Sequence, residues 1–464
     1  MRRRMFLKRM GQGALASVAM SRGIAAQAGP GMRPNIVFIM ADDLGYGDLG
    51  CYGQKEILTP NIDRLAEEGT RFTQCYSGAT VCAPSRCCLM TGLHGGHARV
   101  RDNIPHFIFL QPDDLTVAEV LKQAGYTTGA IGKWSLGNPG SWGIPNYQGF
   151  DDWFGHLNQD QAHFYYPDYL WDNDKVKLLF GNRGGKLGEY THDLFTDRAL
   201  QFIEKNESNP FFLYLAYTTP HWSDYDKTTP MSQPVPSDEP YTDRNWPQTE
   251  KNFAAMITRM DRDIGRIAAL LKKLGLDGNT IIFFTSDNGP DKTASHDPAF
   301  FHSAGPFRGI KRDMYEGGIR VPMIVRWPDN VPKGRSSDQV MAFWDVMPTL
   351  AELAGLPAPK NIDGISMLPT ILGRQQEEQH ECLYWDYGHE RTTYMQAVRT
   401  GDWKGVRIGQ DAPIELYNLG SDPAETTNVA AQHPEVVSTI ERMMREAYVP
   451  SDDYHIGTIY QVKR

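Results

Sequence analysis

Short apolar runs alternate with helical patterns along most of the chain. Residues 36–40 (IVFIM), 211–217 (FFLYLAY) and 280–285 (TIIFFT) are too short for helices and lack the alternation of half-exposed strands. We therefore predict that they are buried parallel strands. Apolar residues from Phe253 to Leu274 recur at the spacing of a long amphipathic helix. This order predicts an α/β fold, in which a large, mainly parallel sheet is sandwiched by helices.

The length of the chain indicates a second, smaller unit. Its 464 residues exceed the roughly 250–300 at which a single hydrophobic core stops growing. The polar stretch 373–379 (GRQQEEQ) lacks apolar periodicity and is the predicted linker. We expect the α/β domain at 29–372 and a C-terminal α+β subdomain at 373–464. The elements predicted in the subdomain are short antiparallel strands at 397–398, 403–408 and 415–417 and one helix at 434–447.

Residues 1–28 have the pattern of a bacterial export signal. Arg3 and Arg4 belong to a twin-arginine pattern, an alanine-rich stretch follows, and residues 26–28 (AQA) are a small-x-small cleavage site. The alternative is a basic helix lying on a membrane, but each of its glycines would cost about 1 kcal/mol of helix stability. No apolar run reaches the roughly 18 residues of a spanning helix. We expect an exported protein, periplasmic or extracellular, without stable membrane insertion.

Net charge and cysteine spacing argue against two kinds of site. Lys and Arg total 47 and Asp and Glu total 56, so the net charge is −9. This acidic excess argues against nucleic-acid binding, which needs a basic surface. The six cysteines form no pattern of zinc ligands. A chain that folds before export should not depend on disulfides, so we assign Cys82 a chemical role and expect the other cysteines mostly to be buried.

Polar residues follow four of the predicted strands. In an open α/β sheet, ligands bind beyond the carboxyl ends of the parallel strands. Each of these residues has a structural explanation of its own, such as a helix cap, a turn or a surface charge. The prediction of a site therefore rests on their convergence at one edge. The residues concerned are Asp42 and Asp43, Lys133, His221, and Asp287 with Asn288.

Four of these side chains form a set of oxygen ligands. Asp42, Asp43 and Asp287 supply carboxylates, and Asn288 supplies an amide oxygen. Hard oxygen ligands favour Ca²⁺ or Mg²⁺, whereas zinc prefers His or Cys. A divalent ion there would neutralise charge on an anionic ester.

The segment 82–86 reads Cys-Ala-Pro-Ser-Arg and is followed at 91–92 by Thr-Gly. With the segment 315–322 (YEGGIRVP), it resembles the formylglycine-dependent, arylsulfatase A-like sulfatases of the alkaline phosphatase superfamily. Met90 and Leu93 depart from the usual Leu and Arg of that signature. The likeness extends from Pro34 to Leu419 and implies the alkaline phosphatase-like α/β fold.

The resemblance implies how the site is completed. A formylglycine-generating enzyme would oxidise Cys82 to an aldehyde, whose hydrate attacks sulfur and then releases sulfate. A Ca²⁺ ion, with Mg²⁺ less favoured, would be bound by the oxygen set and by the modified Cys82. Arg86 would steady the hydrate, Lys133 and Lys311 would contact sulfate oxygens, and His221 would donate a proton to the leaving alcohol.

The segment 132–137 reads Gly-Lys-Trp-Ser-Leu-Gly, where many members of this family have His in place of Ser135. We expect either a shifted pH optimum or a compensating group elsewhere. The segments 157–159 and 163–167 resemble a branch associated with galactose and N-acetylgalactosamine sulfates. The substrate would be a sulfated carbohydrate or an aryl sulfate. The residues predicted to contact a sugar are Arg101, Asn103 and His296.

Two other functions fit parts of the pattern. A phosphatase or phosphodiesterase of the same superfamily would use Ser or Thr as nucleophile and two transition metals, which the cysteine and the single oxygen set disfavour. A non-catalytic exported glycan-binding protein would explain Ser135, but not the complete set of charged residues.

Overall fold

The computed structural model describes residues 33–104 and 107–457. The predicted export signal at 1–28 lies outside the described residues. Within the described ranges, no helix is long and apolar enough to cross a membrane.

Eleven of the described strands form one large sheet. In chain order these strands are β1 (Asn35–Asp42), β2 (Thr70–Tyr76), β3 (Thr127–Lys133), β4 (Asp152–His156), β5 (Tyr169–Asp172), β6 (Lys175–Leu178), β7 (Phe211–Pro220), β8 (Thr280–Ser286), β9 (Arg320–Arg326), β10 (Arg335–Ser337) and β11 (Met341–Ala342). The order across the sheet is β10-β2-β9-β8-β1-β7-β3-β4-β5-β6, and β11 pairs with β2. Strands β8, β1, β7, β3 and β4 are parallel. The predicted mainly parallel α/β sheet is therefore confirmed.

Helices cover both faces of this sheet. The helices of the described chain are α1 (Pro60–Glu67), α2 (Cys82–Thr91), α3 (Val117–Gln123), α4 (Thr191–Lys205), α5 (Gln248–Lys273), α6 (Glu316–Ile319), α7 (Val346–Leu353), α8 (Leu368–Ile371) and α9 (Pro434–Ala447). Successive residues of β1 point to opposite faces. Ile36 and Phe38 therefore join the core formed with α2, α3 and α7, whereas Val37 and Ile39 join the core formed with α1, α4 and α5.

A separate four-stranded antiparallel sheet follows, in the order β12 (Leu383–Tyr387), β13 (Met395–Thr400), β14 (Trp403–Ile408) and β15 (Glu415–Asn418). Ile440 and Met444 of α9 are buried in a cluster with residues of this sheet. The predicted small sheet and its helix are present, with β12 as an additional strand. The Trp385 indole N–H donates to the backbone oxygen of Ser77 at 2.9 Å, which joins this sheet to the large domain. The boundary at 372/373 stays a prediction.

Candidate active site

The parallel strands bring the predicted residues to one edge of the sheet. β1 ends at Asp42 between β7 and β8, so the residues that follow these strands lie beside it. β3 pairs with the other side of β7 and ends at Lys133. Gly132 allows this close approach, because its φ is +107° and a Cβ would lie 1.9 Å from the Ala216 backbone oxygen. Convergence at one edge is therefore a direct result of strand order.

The helix α2 begins at Cys82, and the cysteine points into the same edge. Cys82 is fully buried, and its thiol donates to Asp42 Oδ1 at 3.4 Å. The Ser85 hydroxyl donates to the backbone oxygen of Asp287 at 2.5 Å, which holds the first turn of α2 against the end of β8. Burial raises the pKa of the Cys82 thiol to about 12. The unmodified thiol is therefore protonated at neutral pH and is a weak nucleophile.

Each buried carboxylate of the site is paired with a buried cation. Arg86 Nη2 lies 2.6 Å from Asp287 Oδ2, and Lys133 Nζ lies 2.7 Å from Asp42 Oδ2. Lys311 Nζ lies 2.7 Å from Asp43 Oδ2. We call these six residues the site cluster. Pairing is what makes burial of so many charges tolerable, because an unpaired buried ion is strongly unfavourable.

The three carboxylates do not hold their protons equally. Burial raises the pKa of Asp42, with Asp287 as a further cause. Burial also raises the pKa of Asp43, to about 7, although Lys311 opposes the change. Burial acts in the same direction on Asp287, but the positive charges of Arg86 and the two lysines outweigh it and keep its pKa below the usual value. Asp42 and Asp43 therefore stand to gain most from further positive charge.

The donor set fits a divalent cation. Ligand atoms of Asp42, Asp43, Cys82 and His221 all lie within 4.8 Å of one another. The Asn288 amide N–H donates to Asp43 Oδ1 at 2.7 Å, and its Oδ1 is buried with no hydrogen-bond partner among the described residues. A buried, unpaired amide oxygen next to two carboxylates with raised pKa values is suited to metal coordination. The Asp287 carboxylate accepts from Arg86 and from the Asp43 backbone N–H, at 3.1 Å.

His221 has one nitrogen fixed and one facing the cluster. Its Nδ1 lies 2.6 Å from the Trp222 carbonyl oxygen, which can only accept, so Nδ1 carries a proton. Its Nε2 lies 3.4 Å from Asp43 Oδ2. Burial and then Lys311 and Lys133 lower the pKa of His221, so Nε2 is the nitrogen available to exchange a proton at the site.

A cavity borders Ala83, the residue after Cys82. Asn103 accepts the Ala83 backbone N–H with its Oδ1 at 2.9 Å, so its amide nitrogen is the group left to face a ligand. Ser135, which also lines the cavity, has φ of +68°. The remaining residues around it are Val100, Asp102, Ile108, Phe109, Gly137, Asn138, Asn158, Gln159 and Asp160.

Comparison with known proteins identifies the family of this chain. The model of the sulfatase family matches residues 34–356, which is well over half of the chain. The chain belongs to the sulfatase family. A second model, described as N-sulphoglucosamine sulphohydrolase, C-terminal, matches residues 308–449. The predicted family and its enzymatic activity as a sulfatase are thereby confirmed, and a phosphatase or a non-catalytic binding protein is disfavoured.

Several relatives match almost the whole sulfatase chain. An N-acetylgalactosamine-6-sulfatase of Canis lupus familiaris is 34% identical, over 92% of this chain and 88% of its own. An N-acetylgalactosamine-6-O-sulfatase of Bacteroides thetaiotaomicron is 30% identical, over 89% of this chain and 92% of its own. A crystal structure of Ps i-CgsB in complex with k-i-k-neocarrahexaose has a TM-score of 0.79 at 28% identity, covering 93% of this chain and 95% of that one.

Two of the residues predicted to contact a sugar have other partners in this sulfatase. Arg101 is buried and donates to the backbone oxygens of Ala98, Gly96 and Val449. His296 is also buried, with Nδ1 2.8 Å from Glu250 Oε2. Neither residue lines the cavity beside Ala83, whereas Asn103 does. The sugar contacts of Arg101, Asn103 and His296 stay predictions. The hydrogen bonds of Arg101 and His296 to other parts of the protein lend theirs no support.

Two acidic residues that were not among the predicted site residues lie beside the site cluster and the cavity. Asp291 lies 3.6 Å from Lys311 and 2.7 Å from Arg312. Asp291 lies four residues after Asp287 in the segment that follows β8, and this closeness in sequence is the signal that could have indicated it. Asp102, in the cavity wall, pairs at 2.6 Å with Arg391, which lies in the turn between β12 and β13. No sequence signal connects two residues so far apart in the chain.

Proposed function

We propose that this sulfatase hydrolyses sulfate esters of galactose- or N-acetylgalactosamine-type carbohydrates, using a formylglycine derived from Cys82 and a bound Ca²⁺ ion. The observation that carries the proposal is the position of Cys82, buried at the start of α2 within a ring of three carboxylates and three cations. The names of the relatives, which are N-acetylgalactosamine-6-sulfatases, support the carbohydrate class. The catalytic unit would be the domain at 29–372, and the subdomain at 373–464 would support the cavity wall through the ion pair of Arg391 with Asp102.

Asp42, Asp43, Asp287 and Asn288, with the modified Cys82, would hold the ion. Oxygen ligands favour Ca²⁺, with Mg²⁺ less suitable because it requires a more regular octahedron. When bound, the ion would polarise the nucleophile and neutralise charge on the sulfate ester. The orphaned Asn288 Oδ1 and the raised pKa of Asp43 support this assignment.

Cys82 requires modification before it can act. Its thiol is held protonated by burial, since its pKa is about 12, and a protonated thiol attacks sulfate esters poorly. Oxidation by a formylglycine-generating enzyme would supply an aldehyde whose hydrate offers an oxygen nucleophile. Arg86 is placed to steady that group, because its guanidinium lies 3.6 Å from Asp42 Oδ1, the oxygen that the thiol contacts.

The lysines and His221 divide the remaining work. Burial opposes the charge of Lys133 and Lys311, but Asp42 and Asp43 raise the pKa values of the two lysines above the ordinary value. Both lysines therefore stay charged and would bind sulfate oxygens, where negative charge develops during cleavage. The His221 ring is oriented by the bond from Nδ1 to Trp222. When the anionic ester binds, His221 would take up a proton at Nε2 and pass it to the departing alcohol, which lowers the barrier most for a poor leaving group such as a sugar.

The substrate would reach this site outside the bacterial cytoplasm. The twin-arginine pattern at 1–28 supports export to the periplasm or beyond, where sulfated polysaccharides are available. A sulfated sugar would occupy the cavity beside Ala83, with the Asn103 amide nitrogen as one donor. An aryl sulfate would react as a simpler substrate with the same sulfate contacts.

The proposal is tested with purified, fully modified enzyme and two matched ester series. We expect sulfate release from 6-sulfates of galactose and N-acetylgalactosamine and no comparable release of phosphate from the matching phosphates. Peptide mass spectrometry across residues 82–86 should show the mass loss of a thiol converted to an aldehyde, and metal analysis should show one Ca²⁺ per chain. A preference for phosphate esters, or an unmodified and fully active Cys82, would contradict the proposal.

A further inference from the structure

Three polar side chains form a hydrogen-bonded row that ends at the cavity. Asp224 Oδ2 lies 2.8 Å from His163 Nδ1. His163 Nε2 lies 3.2 Å from the amide nitrogen of Gln159, and Gln159 lines the cavity beside Ala83. The His163 ring also stacks on the His221 ring, with centroids 4.5 Å apart. The row therefore connects the cavity wall with the proposed proton donor.

The chemistry of the row fixes its direction. A carboxylate can only accept, so His163 Nδ1 must carry the proton that faces Asp224. Burial lowers the pKa of His163 to about 4, so the ring is neutral at pH 7 and its Nε2 can only accept. The Gln159 group that faces Nε2 must then be the amide N–H. The opposite amide orientation would set two acceptors against each other.

This direction leaves one group of Gln159 without a partner. The residue is only 7% exposed, and its Oε1 makes no hydrogen bond to any part of the protein that the structure describes. Buried polar atoms are almost always paired, and an exception at a ligand cavity points to a partner that comes with the ligand. Ser135, on the same cavity, likewise has a buried hydroxyl without a partner among the described residues.

From this row we infer that Gln159 Oε1 accepts a hydrogen bond from a ring hydroxyl of the sugar, and that Asp224 and His163 are positioning residues for its amide. The inference rests on the proposed carbohydrate substrate and names a residue that selects it. An acceptor oxygen repels sulfate oxygens, which the cations of the site cluster attract. Gln159 would therefore bind the alcohol part of the ester and not its sulfate group.

The test compares Gln159→Leu with the native enzyme on two substrates. We expect kcat/KM for the best sugar sulfate of the galactose and N-acetylgalactosamine panel to fall about tenfold, the effect of one neutral hydrogen bond. For 4-nitrophenyl sulfate, which has no ring hydroxyl, we expect less than a twofold change. Gln161→Leu is the matched control, because Gln161 donates to the Tyr169 backbone oxygen at 3.0 Å and does not line the cavity.

A second variant tests the positioning role without touching the cavity. In Asp224→Asn, Lys227, whose Nζ lies 3.0 Å from Asp224 Oδ1, should hold the amide oxygen, so that the amide NH2 faces His163 Nδ1. This should move the His163 proton to Nε2 and turn the Gln159 amide nitrogen toward the sugar. We expect the same selective loss of kcat/KM on the sugar sulfate. In the double variant with Gln159→Leu we expect no further loss, because both substitutions remove the same hydrogen bond to the sugar.

Equal losses on both substrates in Gln159→Leu, or no loss on either, would overturn the inference while leaving the proposed function intact. Additive losses in the double variant would remove the positioning role of Asp224. A native enzyme that hydrolyses no sugar sulfate of the panel would instead refute the proposed function, and the inference with it.

Discussion

Two groups of buried charges in this sulfatase both pair carboxylates with Lys and Arg. They differ in the number of hydrogen-bond donors that their carboxylates accept from. The site cluster pairs Asp42, Asp43 and Asp287 with Lys133, Lys311 and Arg86. A second group, which we call the inter-sheet cluster, lies between the two sheets and consists of Glu316, Arg320, Arg399, Lys404 and Glu425. Both groups are almost completely shielded from water.

In the inter-sheet cluster, the central carboxylate is saturated. Glu316 accepts from the Tyr76 hydroxyl at 2.7 Å, from Lys404 at 2.9 Å and from Arg320 at 3.1 Å. Burial would raise its pKa, but Lys404 and the two arginines lower it to about 2. A carboxylate with this many donors is stable as it stands and has nothing left to offer a ligand.

In the site cluster, the corresponding carboxylate is left short of donors. Asp43 has a single lysine and one amide N–H on its oxygens, and its pKa rises to about 7. Its backbone is also in the left-handed region, with φ of +62°, a conformation that is unfavourable for most residues. Asp43 therefore has oxygen lone pairs available for a ligand, whereas the oxygens of Glu316 accept from three donors.

The largest expected effect is a loss of turnover, which depends on the active site and not on the inter-sheet cluster. Cys82→Ala removes the atom that is proposed to become the nucleophile, so we expect kcat for an aryl sulfate to fall by about 1,000-fold or more. The fold should persist, because the change removes one buried sulfur and no charge. Sulfate release and thermal unfolding measured on the same preparation would check both statements. Retained turnover would show that Cys82 is not the nucleophile.

The next effect is on stability. Lys404→Met leaves Glu316 and Glu425 buried without their shared lysine, which lies 2.9 Å from each. We expect a loss of about 3–5 kcal/mol in the free energy of unfolding, read from urea denaturation, with kcat of the remaining folded enzyme unchanged. Lys272→Met is the control, since Lys272 is half exposed and its pair with Glu68 spans 3.9 Å. A loss below about 1 kcal/mol would show that the buried Lys404 contributes no more to stability than an exposed lysine does.

The smallest effect is a difference in pH dependence. Without metal, Asp43 keeps its proton in the folded protein up to a pKa of about 7 but loses it near 3.8 when unfolded. The contribution of Asp43 to the free energy of unfolding should therefore decrease as pH rises from about 4 to 7, by up to about 1.4 kcal/mol per pH unit. Asp43→Asn, which cannot ionise, should lack this contribution, so its stability should fall less steeply, or rise more steeply, with pH than that of the native chain. Urea unfolding with a chelator at several pH values measures the difference, and parallel curves would contradict it.

The central fold and most of the site cluster were predictable because they depend on local patterns. Buried parallel strands read as continuous apolar runs, and their carboxyl ends meet at one edge, so Asp42 and Asp287 were placed together from sequence alone. The outer strands β5 and β6 were not, because Lys175–Leu178 alternates polar and apolar residues over only four positions, all of which are exposed. The pairing of β9 antiparallel to β8 depends on connection and packing and not on composition.

The rest of the site depends on long-range pairs. His163 and Asp224 meet only after β7 places its end beside the segment at 161–163. Arg101 and His296, which are predicted to contact a sugar, are bound in the folded chain to backbone oxygens and to Glu250. Tertiary contacts of this kind leave no trace in periodicity or spacing.

The ion pair between Asp102 and Arg391 links the cavity wall to a hairpin of the second sheet. A chain that stopped at residue 372 would retain every charge of the site cluster but would lack the partner that steadies one side of its opening. Insertions or deletions in the turn between β12 and β13 would therefore change which substrates enter the cavity, without changing the residues that carry out the reaction.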